Sequence, residues 1–261
     1  MLHVQFLLLT VAVAVGLFVA MLVSLELGRR FGVRQGERRG PDARVGVGVV
    51  DGSVYGLLAL LLGFTFSGAA QRFDHRRELI SEQVNATGTA WQRLDLLAAD
   101  QQVTTRDAFR RYVDALIAWY GESPSSMETV KEPKQVTQAM NALWSLSVAA
   151  CQTPRGESAR VLLLPALNDM FGATDRERLA RRIHPPTVIF VMLGITALAT
   201  ALFAGYGLGS GKSRNWIYML GIAAAVSIAT YVILELEYPR LGLFRVNAMD
   251  EALVELRATM Q

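Results

Sequence analysis

The sequence has one cysteine, Cys151, three scattered histidines, and no run in which apolar and polar residues alternate as in a strand. A single cysteine closes no internal disulfide and builds no thiolate zinc cluster; it reads as a small core residue. His3, His75 and His184 are spread along the chain, so a histidine metal site would need distant segments to meet. Also missing are a Gly-rich phosphate loop, a GxSxG turn, an HExxH helix and a set of carboxylates at metal-binding spacing. These absences leave an enzyme with little support and give no reason to expect a metal or a cofactor. No Lys or Arg precedes Arg29, so the basic start of a secretory signal peptide is absent as well. The net charge of +3 over 261 residues excludes a nucleic-acid polycation and makes nucleic acid an unexpected partner.

What the chain has in excess is apolar length. Hydrophobic residues make up 52% of it, and the mean hydropathy is +0.29, beyond what an ordinary soluble domain carries. A helix of about 20 apolar residues crosses ~30 Å of hydrocarbon. Four segments qualify: Leu2 to about Leu27, about Val49 to Gln71, about Thr187 to Gly207, and about Trp216 to Leu234. The first has too long an apolar core for a signal peptide and exits into "LELGRRFGVRQGERR", so it reads as a retained span.

Between the second and third spans the composition changes. Residues 72–184 carry 15 Lys or Arg and 14 Asp or Glu. The helical rhythm of span two runs on through Phe73, Ile80, Val84, Thr87, Trp91 and Leu94 to about Ala98. A second helix is expected from a Thr104–Asp107 capping box to Tyr120, burying Phe109, Val113 and Leu116. A third, Lys134 to Cys151, presents Val136, Met140, Leu143 and Val148. A fourth, about Ser158 to Ile183, presents Val161, Leu164, Leu167 and Met170, with a bend or break expected at "FGATDRER". The Gly, Ser and Pro of "GESPSSMETVKEP" and "QTPRGES" separate them. The chain thus reads as an all-α integral membrane protein. Residues 1–71 hold two spans and an Arg-rich loop, 72–184 an all-helical extramembrane domain, 185–234 two more spans, and 235–261 a C-terminal tail with a short amphipathic helix.

The stretch "LLALLLGFTFSGAAQRFDHRR" is the most informative. Along span two the small residues fall at Gly52, Gly56, Ala59, Gly63, Ser67 and Ala70, and steps of three and four place them on one helical face. Such a face either packs closely against another helix or lines a narrow conduit. As a conduit it gives the pore-lining set Gly56, Ala59, Gly63, Phe64, Phe66, Ser67 and Ala70, with one of the two phenylalanines as a hydrophobic gate. The charges that follow, Arg72, Asp74, Arg76 and Arg77, would form the mouth, with a potential favouring anions. Glu235 and Glu237, at the end of span four, are candidate partners for these arginines.

The same residues carry a resemblance. "GLLALLLGFTFSGAAQRFDHRRELISEQVNATGTAWQRLDLL", with its Phe64 to Ser67 step, Phe73-Asp74, Glu82, Asn85, Gly88 and Thr89, closely resembles the bacterial bestrophin-like family of membrane proteins. So does the closing "LELEYPRLGLFRV", although Glu235 and Glu237 stand where Asp is more usual. True bestrophins are similar at a greater distance, and that likeness implies an oligomeric anion channel whose second span lines a neck and continues into a helical domain. Arg72-Phe73-Asp74 replaces their Arg-Trp-Trp type step, and no acidic calcium clasp is evident.

Sidedness is contested by two signals. The first loop holds six arginines in residues 28–44, and the third loop holds Lys212 and Arg214. The short-loop charge rule places both loops in the cytoplasm and the helical domain on the non-cytoplasmic side of an inner membrane; the bestrophin likeness implies the reverse, and the charge rule is followed here. The expected function is a homo-oligomeric, anion-permeable channel in a lipid bilayer with span two lining the pore. The alternative is a non-conducting scaffold or sensor whose helical domain binds a partner.

Overall fold

The computed structural model describes residues 2–39, 47–121, 133–153, 156–209, 215–238 and 247–261. These form eight α-helices: α1 (Leu2–Arg39), α2 (Val47–Arg93), α3 (Ala99–Gly121), α4 (Lys134–Cys151), α5 (Glu157–Ala180), α6 (Thr187–Leu208), α7 (Trp216–Glu237) and α8 (Asn247–Thr259), with a 3-10 turn at Leu94–Leu96. No strand occurs among the described residues. Four helices, α1, α2, α6 and α7, are long and apolar enough to cross a membrane, and the chain is a multi-pass membrane protein. Its contacts divide it into two units, residues 1–73 with 185–244, and residues 74–184 with 245–261.

In the first unit α1 lies along α6 and α7. Met21, Leu25, Leu58, Leu193, Ala197, Ala201, Met219 and Ala223 form its core. The apolar residues facing the other way, among them Leu8, Val15, Val23, Ile195 and Ile217, are exposed, as lipid-facing side chains of spans must be. The closest approach is between α1 and α6. A Cβ added to Gly28 would stand 2.0 Å from the Leu202 carbonyl oxygen, and one on Gly205 would stand 2.0 Å from that of Leu25. Gly32 against Tyr206 and Gly209 against Val33 extend the same seam. Backbone meets backbone here because neither helix has a side chain in the way. The sequence reading put its weight on the glycines of span two and passed over these four.

In the second unit the core gathers Phe109, Tyr112, Leu116, Leu143, Leu163, Leu167 and Met170 around Leu94 and Ala90. A buried polar knot holds α2 to its neighbours. The Gln83 amide donates to the Tyr120 hydroxyl at 2.8 Å and to the Thr174 hydroxyl at 3.0 Å, and the Tyr112 and Thr174 hydroxyls lie 3.2 Å apart. Each buried polar group thus has a partner, without which its burial would be costly. The α8 helix docks through Leu253, with Met260 just beyond its end in the same core, and Arg257 donates two bonds to Asp114 at 2.8 and 2.9 Å.

Three expectations for the helical region need correction. The α3 helix begins at Ala99, with the Ala98 carbonyl accepting from Gln101 and Gln102. Thr104 and Asp107 therefore lie inside the helix and form no capping box. The α5 helix runs unbroken through "FGATDRER", despite Gly172 and a proline at 165 that removes one N–H. Val161 does not face the core: it is 74% exposed, and Leu163 takes the buried position. The pattern of α5 is offset because Ala159, Leu163, Ala166, Leu167 and Met170 share its inner face, and alanines carry little weight in a reading by apolar bulk. The α4 bounds and the burial of Phe109, Val113, Leu116 and Tyr120 are as the sequence predicts.

Cys151 is buried, and its burial raises the thiol pKa above the ordinary value, with Arg160 pulling weakly the other way. A neutral, enclosed thiol is a poor nucleophile. Cys151 is therefore expected to resist iodoacetamide in the folded protein and to react only under denaturing conditions; labelling with intact protein mass spectrometry checks this.

Candidate functional site

The α2 helix holds 47 residues, about 70 Å at 1.5 Å per residue, more than twice the hydrocarbon thickness. No break interrupts it between its apolar and charged halves. Leucine, alanine and phenylalanine keep the first half helical in spite of its glycines, and the second half is continued by Leu79, Ile80, Gln83 and Thr87, all buried.

Two opposite faces of α2 have different surroundings. Leu58, Thr65, Ala69 and Arg76 are buried, and Leu61, Leu62 and Arg72 half-buried. The Thr65 hydroxyl is turned back onto its own helix, donating to the Leu61 carbonyl at 2.6 Å. On the other side Gly56, Ala59, Gly63, Phe66 and Ser67 are exposed, and Ala70 is half-buried. A Cβ added to Gly52, Gly56 or Gly63 would meet nothing within 4 Å. Among the described residues, Gly52, Gly56 and Gly63 of α2 thus pack against no other helix, unlike Gly28 and Gly205. Phe64 is 69% and Phe66 46% exposed. Helical spacing separates the two phenylalanines: Phe66 falls three residues after Gly63 and four before Ala70, on the small-residue face, whereas Phe64 falls to its flank.

The four charges predicted for the mouth divide between the same two faces. Arg72 donates from Nε to Glu237 on α7 at 2.8 Å, and its Nη2 also contacts that carboxylate. Arg76, 8% exposed, donates to the Ile183 carbonyl at 3.0 Å. Both arginines therefore sit on the buried face and not with the small residues. Asp74 and Arg77 are exposed, with Arg77 Nη1 3.8 Å from the Asp74 carboxylate. They follow Ala70 by four and seven residues, in step with the small-residue face.

The two glutamates belong to α7, which extends past Leu234 to Glu237. Glu235 and Glu237 are 0% and 1% exposed. The Glu235 carboxylate accepts from Thr10 on α1 at 3.3 Å, and the neighbouring Tyr238 ring packs edge-on against Phe6 with centroids 5.3 Å apart. The "LELEY" segment thus ties α7 to α1 and to α2. The sequence offers both glutamates as candidate partners for the arginines of α2; Arg72 bonds to Glu237, whereas Glu235 accepts from Thr10, a bond that a single threonine in an apolar span does not announce. Among the described residues no group of His, Cys, Asp and Glu could hold a metal ion.

A family model for the bestrophin-like domain matches residues 15–249. The chain belongs to the bestrophin-like family. Solved structures agree on the fold. A single-substitution variant of a bacterial bestrophin homologue from Klebsiella pneumoniae superposes with a TM-score of 0.60 at 15% identity, covering 93% of this chain and 99% of that one. A second variant described in the same words gives 0.59, also at 15% identity, over 94% and 98%. A crystal structure described only as a membrane protein gives 0.59 at 13% identity, over 92% and 98%. No curated protein matches the sequence. At these identities the likeness extends to the bestrophin fold, and the chemistry of α2 in this bestrophin-like protein must be argued from its own residues.

Proposed function

We propose that this protein is an ion channel built from several copies of the chain, with the small-residue face of α2 lining the path. The carrying observation is the asymmetry of α2. Its Leu58–Arg76 face is filled by its own chain, while Gly56, Ala59, Gly63, Phe66 and Ser67 are left open over about 17 Å, roughly half of a span. A single helix encloses nothing, so the conduit exists only where several α2 helices meet. Small side chains let them approach closely, and Ser67 offers a hydroxyl where the path leaves the apolar region. Phe66 is the narrowing aromatic and Phe64 a flanking residue. Conductance of purified protein in planar bilayers tests this. Gly63→Leu is expected to abolish most of the current, and Phe66→Ala to raise it. Currents unaltered by both changes would remove α2 from the path.

The proposed permeant species is a small anion, and the charge that favours it is Arg77. Arg72 and Arg76 are committed to Glu237 and Ile183, so each copy brings one arginine and one aspartate to this face of α2. Replacing Arg77 with Gln is expected to move the reversal potential in a salt gradient toward the cation value, and replacing Asp74 with Asn to move it the other way. The helical domain is assigned to the non-cytoplasmic side by the arginines of the first loop. A reporter fused after Gln261 that is active in the cytoplasm would reverse that assignment.

The competing reading is a non-conducting scaffold. It is favoured if the detergent-solubilised protein is monomeric and silent in bilayers.

A further inference from the structure

The outward face of α1 changes character along its length. Val19, Val23 and Leu27 are 51%, 53% and 44% exposed, an apolar stripe at steps of four on the side opposite Met21, Leu25, Gly28 and Gly32, which are buried. The same stripe continues, at steps of three and four, into Arg30 and Arg34, both exposed, with Phe31 beside them, 56% exposed. One carboxylate, Glu26, faces this turn. It accepts from Arg30 Nε at 2.9 Å and lies 3.6 Å from Arg29 Nε. Among the described side chains of α1, three guanidiniums stand against one carboxylate on an otherwise lipid-exposed helix.

The depth of this turn is set by an independent feature. Gly32 and Val33 lie against Tyr206 and Gly209 at the end of α6. The α7 helix then begins at Trp216 and Tyr218, which are 51% and 45% exposed, with the Tyr218 N–H capped by Asn215. Exposed Trp and Tyr at the end of a span mark the level of the lipid headgroups. Arg30 and Arg34 therefore stand where phosphates lie, and Val23 and Leu27 where acyl chains lie.

We infer that this rim of α1 is a binding site for an anionic phospholipid, with Arg30 and Arg34 on the phosphate and Leu27 and Phe31 along the first part of an acyl chain. Arginine suits this position because its planar fork meets two phosphate oxygens at once. Two arginines near an anionic headgroup correspond to a preference of roughly 30-fold. The inference uses α1 alone and stands whether or not α2 lines a path.

The test is lipid titration of the full-length protein in detergent, read by native mass spectrometry with phosphatidylglycerol and phosphatidylcholine as probes. Wild type is expected to retain phosphatidylglycerol in preference. The double change Arg30→Gln with Arg34→Gln should weaken that binding roughly 30-fold and leave phosphatidylcholine retention and the melting temperature in phosphatidylcholine nanodiscs as they were. Arg30→Lys with Arg34→Lys should keep part of the preference. If the glutamine variant does not fold, the salt dependence of the wild type decides, since an electrostatic preference must shrink as salt rises. Equal retention of both lipids by wild type, an unweakened preference in the glutamine variant, or displacement of phosphatidylglycerol by inorganic phosphate would each overturn the inference; the last would point to a soluble anion instead.

Discussion

Changing Gly205 to alanine is expected to be among the most costly single-methyl additions in the spans. The added Cβ would stand 2.0 Å from the Leu25 carbonyl oxygen and 2.9 Å from the Leu25 Cα. Those are backbone atoms, with no rotamer by which to yield, so the helices themselves must separate. Overpacking of a filled core costs about 1–3 kcal/mol where side chains can shift; here the cost should reach or exceed the top of that range. Separation also loosens the contacts at Gly28, Gly32 and Gly209, because the four glycines share one seam. Gly28→Ala should behave in the same way, and the two changes together should cost less than their sum, since the first already opens the gap. Gly194 lies on the same helix with nothing within 4 Å of its added Cβ, so Gly194→Ala is the control and should leave the melting temperature of the solubilised protein unchanged or slightly raised. Equal melting temperatures for Gly205→Ala and Gly194→Ala would mean that α1 and α6 are not held backbone to backbone.

This contrast between glycines shows where the sequence could be read and where it could not. The four spans, the unbroken passage of α2 out of its apolar half, and the extent of α4 follow from apolar length, periodicity and the positions of Gly and Pro. Those are properties of one segment at a time. Whether a small residue packs or faces open space depends on a second segment. Gly63 and Gly205 look alike in sequence; one meets nothing and the other meets a carbonyl. The arginines are a parallel case. Arg72, Arg76 and Arg77 form one basic cluster in the sequence, yet a helix turns about 100° per residue and carries the third about 100° or more away from the first two. A wheel drawn from Gly56 would have separated them. What no wheel could supply is that Glu237 waits on the buried side.

That separation bears on the proposed path. A mouth with three arginines per copy would repel cations strongly, whereas one arginine 3.8 Å from an aspartate gives a much weaker preference, carried by Arg77 and opposed by Asp74. An exposed pair of this kind contributes at most about 1 kcal/mol to stability, so Arg77→Gln and Asp74→Asn can be made for conductance measurements without loss of the fold.

The second large effect is expected at Arg72 and Glu237. Glu237 is 1% exposed, and Arg72 reaches it with two nitrogens from the half-buried side of α2. Removing one member of so enclosed a pair takes that charge partner from the other, at a cost of up to about 3–5 kcal/mol. Arg72→Ala should be the worse of the two changes, because it takes the guanidinium from a carboxylate that water cannot reach. Glu237→Ala leaves an arginine with a side chain still 29% exposed, which can turn toward solvent. Glu237→Gln should be milder than either, since the amide oxygen still accepts from Arg72 Nε. Replacing both residues with methionine should recover much of the loss, because a volume-matched apolar pair carries no stranded charge. The melting temperatures of the two single methionine variants and the double variant form a cycle whose coupling measures the pair. High salt should weaken this coupling little, as burial limits screening, and a coupling near zero would show that the pair does not hold α2 to α7. The cycle also bears on the path: a mutation that frees Arg72 lets α2 rotate, and the face bearing Gly63 and Phe66 rotates with it. The double methionine variant should therefore regain stability more fully than it regains conductance, since two thioethers fix the distance between α2 and α7 but not the angle of α2 about its axis.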